Sequence, residues 1–147
     1  MGTPFTNIYD LAMVTIRDYR LDNLAKTDIK AFYLVLNGYL VNAIADSSDC
    51  LVDLSYDLET ASLNIDVPFR VQTILANFLI YRWFTSLVND ITQVNLKLQG
   101  RDKKTFAESQ NLKEKAVYVN DLYKKTNQMC VDYQKTNLIS IFEKVNE

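Results

Sequence analysis

The acids Asp46, Asp49, Asp53, Asp57 and Glu59 are the densest set of side chains able to do chemistry. They could bind a cation, or supply the paired carboxylates of a hydrolase. An EF-hand register fails, because no glycine falls at the sixth loop position and the register ending at Glu59 puts Ser48, Cys50 and Val52 where ligands belong. A pair such as Asp53 and Asp57 lacks any sign of an opposed acid and base. The segment therefore reads as a solvated loop with ordinary acids, and a carboxylate-dependent metal enzyme is a minor alternative.

The 147 residues contain no histidine, which removes Ser-His-Asp and Cys-His nucleophile systems and imidazole metal ligation. The only glycines are Gly2, Gly38 and Gly100, so no phosphate-cradling loop or dinucleotide fingerprint can be written. Cys50 and Cys130 lie far apart, outside any CxxC motif, and read as two small, partly buried apolar side chains rather than a zinc site or a disulfide. No catalytic, cofactor-binding or metal-binding residue is expected, and no cofactor. The expectation is not an enzyme.

Sixteen Lys+Arg against eighteen Asp+Glu give a net charge of −2 with no basic block, so no nucleic-acid grip is expected. The start of the chain does not read as a signal peptide or a myristoylation site, and the apolar run from Ile74 to Phe84 is too short and too polar to span a bilayer. The reading is a chain made and folded in a cytoplasm, without membrane partners.

The elements expected are mainly α: a small bundle of about four helices with an extended arm or β-like loop. Thr6 caps a first helix through Ile16, and a short turn of helix over Leu21–Ala25 follows. Thr27 or Asp28 opens a second helix with the stripe Ile29, Phe32, Tyr33, Leu36, Leu40, Ala43 and Ile44. Gly38 inside it suggests close helix packing. Between Cys50 and Val67 the pattern is irregular and reads as a loop with one short strand or a hairpin near Leu54–Leu58 and Ser62–Asp66. Pro68 starts a helix to about Val88, apolar nearly all round and hence central.

Over Thr92–Gln99 the period changes to two. Val94, Leu96 and Leu98 then form one apolar edge of an extended arm, with a continued helix as the alternative. A last long helix starts near Asp102 or Thr105. The polar Lys135-Thr136-Asn137 breaks it, dividing the chain into a helical domain, 1–134, and a C-terminal segment, 135–147. Most of the aromatics (nine Tyr, seven Phe and one Trp) fall on helical stripes, including Phe32, Tyr33, Phe78, Trp83, Phe84 and Tyr133, and read as core.

The end of the chain is the sharpest anomaly. Leu138, Ile139, Ile141, Phe142 and Val145 crowd into residues 138–145 beyond that polar break. Such surface either folds back or docks in a partner, and docking is favoured because Glu143, Lys144 and Asn146 leave one wet side.

Three stretches carry a family likeness: Ile8-Tyr9-Asp10 with Arg17-Asp18-Tyr19-Arg20-Leu21-Asp22; Leu54-Ser55-Tyr56-Asp57-Leu58-Glu59-Thr60; and the block from Trp83-Phe84 through Asn89–Asp102 to Ala107–Lys113. Together, over residues 5–134, they resemble the head–tail connector (adaptor, or neck) proteins of tailed bacteriophages. The resemblance implies a virion protein without catalytic residues. It would join a ring, commonly a dodecamer, beneath the portal protein, extend the channel through which DNA passes without specific binding, and meet a stopper or tail protein below. In some adaptors the C-terminal segment enters the portal, the role this implies for Leu138–Val145. Val94, Leu96 and Leu98 would then serve contacts between subunits. The competing expectation is a small cytoplasmic helical regulator or assembly factor that binds one partner.

Overall fold

The computed structural model describes residues 2–51, 54–97 and 104–146, with backbone only for 91–97, 104–112 and 140. Among them run five α-helices: α1 (Phe5–Met13), α2 (Tyr19–Thr27), α3 (Ile29–Asp46), α4 (Phe69–Lys97) and α5 (Lys104–Val145). A 3-10 turn over Ser47–Asp49 follows α3, and a two-stranded antiparallel hairpin, β1 (Tyr56–Asp57) and β2 (Ser62–Leu63), precedes α4. The mainly α bundle is thus confirmed, and the expected hairpin is present in shorter form.

Helix α4 is the hub, touching α1, α3 and α5. Phe78, Ile74, Leu75 and Leu79 are fully buried along it, and Val71, Ala76, Ile80 and Trp83 nearly so, as its unbroken apolar circumference requires. Phe5, Ile8, Tyr9 and Ala12 bury the facing stripe of α1, spaced by three and four residues. Helix α3 contributes Phe32, Leu36, Leu40, Ala43 and Ile44.

Local chemistry sets the boundaries. Asp28 caps α3 by accepting from the Ala31 amide at 3.1 Å. The first helix starts one residue before the expected Thr6 cap, with extended Pro4 at the cap position and no side-chain capping bond. Pro68 stands just outside α4, its carbonyl accepting from the Val71 and Gln72 amides. The N-terminal residues run beside β2: the Thr3 amide donates to Ile65, and the Leu63 amide donates back to Thr3. Thr3 is buried, and its hydroxyl donates to Asp66 Oδ1 at 3.0 Å while accepting from the Val67 amide at 2.9 Å. A Cβ on Gly2 would collide with the Leu63 carbonyl, so this position needs glycine for space.

Four expectations need correction. Residues 92–97 are helical, not an extended arm: α4 runs through Val94 and Leu96 to Lys97, and Leu98 lies outside the described residues. The antiparallel neighbour α5 and helix-forming Leu, Lys and Gln outweigh a short alternation. The polar triplet Lys135-Thr136-Asn137 does not break α5, which passes through it unbroken, with the Thr136 hydroxyl bonded to the Asp132 carbonyl at 2.9 Å. Those residues interrupt the apolar stripe, not the backbone ladder. Tyr33 is 39% exposed and lies against Tyr9 at the margin of the core. Gly38 is not a close-packing point, since a Cβ there would meet nothing within 4 Å.

A prediction follows for that last site. Gly38→Ala is expected to stabilise the protein by about 1 kcal/mol by restoring helix propensity in an open position, read as a rise in Tm of about 3 °C.

Candidate functional site

The site with an interaction chemistry is the end of the molecule where α5 leaves the bundle. Contacts between α4 and α5 step in opposite directions: Phe84 meets Tyr118, Tyr81 meets Tyr123, Asn77 meets Met129, and the Arg70 guanidinium lies over Tyr133. The pair is therefore antiparallel, and α4 begins opposite about residue 134. Beyond that point every described side chain of α5 is exposed, over about three turns or 18 Å.

All five side chains expected to dock lie on this projection. Leu138 is 49% exposed, Ile139 59%, Ile141 56%, Phe142 66% and Val145 76%. They have not folded back. Four of them, Leu138, Ile141, Phe142 and Val145, are spaced as one helical stripe.

At its root lies an apolar cleft of about 320 Å³ between Leu51, Leu54, Ile65 and Val67 on one wall and Tyr133 and Leu138 on the other. Sequence reasoning missed this cleft. Its only signal was the imperfect alternation of apolar residues between Cys50 and Val67, which has no helical or strand period.

Cys50 also borders the cleft, and here the structure overturns an expectation. Cys50 and Cys130 are joined in a disulfide with a Cα–Cα distance of 5.7 Å, well inside the bonding range. Both are buried, as expected of apolar thiols. Their pairing was hidden because it depends on the 3-10 turn after α3 meeting the far part of α5. The bridge fixes α5 to the body one turn before it projects.

Among the described residues the acids form no cluster able to hold a metal ion. Asp46 is held by Arg82 in a bidentate ion pair, its Oδ2 2.6 Å from Nε, which ties the end of α3 to α4. Asp57 Oδ1 caps its own turn by accepting from the Glu59 amide at 2.8 Å. Asp53 lies outside the described residues. Among the described residues no group of three or more potential ligands could hold a metal, and no helix is long and apolar enough to cross a membrane. The arm residues Val94 and Leu96 sit on the far third of α4, remote from the cleft in the chain's course.

The sequence patterns around Arg17–Asp22 acquire a structural role. Asp18 Oδ1 caps α2 through the Arg20 amide at 2.9 Å, and Oδ2 accepts from the Trp83 indole at 3.0 Å. One carboxylate thereby locks the α1–α2 connection to the hub helix. Burial pushes its carboxyl up, but the bonds from Trp83 and Arg20, together with the charge of Arg20, outweigh this and hold it below its ordinary value. A depressed carboxyl contributes stability that is present above the ordinary range and is lost as pH falls through the folded value. Asp18→Asn is expected to cost about 1–2 kcal/mol near pH 7 and to converge with the parent only once the pH has fallen below the ordinary carboxylate range and through the depressed folded value, checked by denaturant unfolding along a descending pH series.

No protein-family model, curated protein or solved structure matches the chain.

Proposed function

We propose that the chain is a structural virion protein of a tailed phage, a subunit of a head–tail connector ring beneath the portal that extends the DNA channel. The supporting observation is the projecting end of α5, whose five large apolar side chains remain in solvent beyond a bundle that is complete without them. Burying each fully is worth roughly 1.5–3 kcal/mol, so a partner groove gains much from accepting them. The portal is the partner for this segment, and a stopper or tail protein meets the opposite side of the ring. Contacts between subunits can be weak individually, because a closed ring multiplies them. The net charge of −2 suits a wall past which DNA slides without sticking.

The test is to mix purified chain with portal oligomers and to compare the full chain with a version lacking residues 136–147. The full chain is expected to attach as a ring, and the truncated one to remain folded and fail to attach. A full chain that ignores the portal favours the regulator reading. A truncated chain that unfolds returns the segment to the core.

A further inference from the structure

We propose that the Cys50–Cys130 disulfide is a thiol-exchange site, at which a small aliphatic thiol enters the cleft beside α5 and forms a mixed disulfide with Cys50. Two observations carry this. Cys50 lines the cleft together with Leu51, Leu54, Val67 and Leu138, and Cys130 does not. Cys50 keeps 7% of its surface exposed and Cys130 none, so only one of the bonded residues has an open side.

Exchange proceeds by attack of a thiolate on one sulfur of a disulfide, and access decides which sulfur is attacked. Attack from the cleft forms a bond between the incoming sulfur and Cys50 Sγ, and the bond to Cys130 Sγ breaks. The electron pair of that bond leaves on Cys130 Sγ, which takes a proton from solvent. A second thiol attacking the adduct releases the incoming thiol as its own disulfide and returns Cys50 as a free thiol. The small thiol is therefore the reductant, and the disulfide is what it reduces.

The cleft volume of about 320 Å³ and its Leu, Ile and Val walls suit a short aliphatic thiol. A thiol carried on a folded protein is too large to enter. The adduct stands against the wall that includes Leu138, and α5 is no longer tied to the turn after α3. The site does not rest on the virion reading.

Brief exposure of the folded full chain to 2-mercaptoethanol tests it, with an acid quench to stop further exchange and peptide masses to locate the adduct. The adduct is expected on Cys50 and not on Cys130. Its rate of formation should be unchanged by urea well below the unfolding transition, since the bundle need not open. Leu54→Trp, which adds bulk to the cleft wall, is expected to slow the reaction about tenfold or more. Leu34→Trp, at an exposed position on α3, is expected to leave the rate unchanged. If Leu54→Trp does not fold, Leu138→Trp on the other wall takes its place. An adduct on Cys130, no adduct until urea unfolds the chain, or a rate untouched by the cleft-wall variant overturns the proposal. So does a protein whose two cysteines are free before any thiol is added.

Discussion

Reduction of the Cys50–Cys130 disulfide is expected to lower the stability of the protein by about 4 kcal/mol, because the bridge closes a loop of some eighty residues. In the chain-entropy account, a crosslink of that span removes much of the freedom of the unfolded state, so its loss is felt chiefly there. The native contacts around the bridge change little: Cys50 stays packed beside Leu51, and Cys130 stays fully buried. Denaturant unfolding with and without a dithiol reductant measures the difference, and a Cys130→Ala variant in reductant gives the comparison without a bridge. Thiol counting of the unfolded, unreduced protein should find no free cysteine. If instead two thiols react and the reductant changes nothing, the bridge is absent. The consequence extends to the projecting segment, which is held one turn from its root. Reduction should raise proteolytic cleavage near residue 134 before it affects cleavage within α4.

The helical half of the fold was legible because its signals are periodic. The continuous apolar surface of residues 71–84 marked a central helix, and α4 is the hub. Asp28 declared the start of α3 through its cap. What failed were the breaks. Lys135-Thr136-Asn137 interrupts the apolar stripe of α5 but not its own ladder of backbone bonds, which continues past polar residues, and the alternation at Val94 and Leu96 is too short to end the long helix that precedes it. The stretch 50–67 resisted reading for the opposite reason. Its order comes from partners distant in sequence, such as Thr3 with Asp66 and Val67, which no window of neighbouring residues contains. Of the candidate site, the five apolar side chains were readable by composition. Neither the cleft nor the disulfide at its edge was, since both arise where the loop meets α5.

Two phenylalanines with the same side chain should behave in opposite ways, and the contrast tests how the molecule divides its apolar residues. Phe78 is fully buried in α4, edge-on to Tyr123 of α5 at a ring separation of 6.4 Å. Truncation leaves a void between the hub helix and its neighbours that the closely packed surroundings can only partly fill. Phe78→Ala is expected to cost about 3–5 kcal/mol, a large fraction of the stability of a single domain. Phe142 is 66% exposed beyond the end of the bundle. Phe142→Ala is expected to move stability by no more than about 0.5 kcal/mol in either direction when measured on dilute protein, where no partner covers it. Denaturant unfolding of both variants under one set of conditions reads the difference directly. A destabilised Phe142→Ala at low concentration would mean that the segment is packed on its own bundle. An unaffected Phe142→Ala beside a crippled Phe78→Ala would mean that Phe142 stands in water without being needed to fold, as an apolar side chain held for binding does.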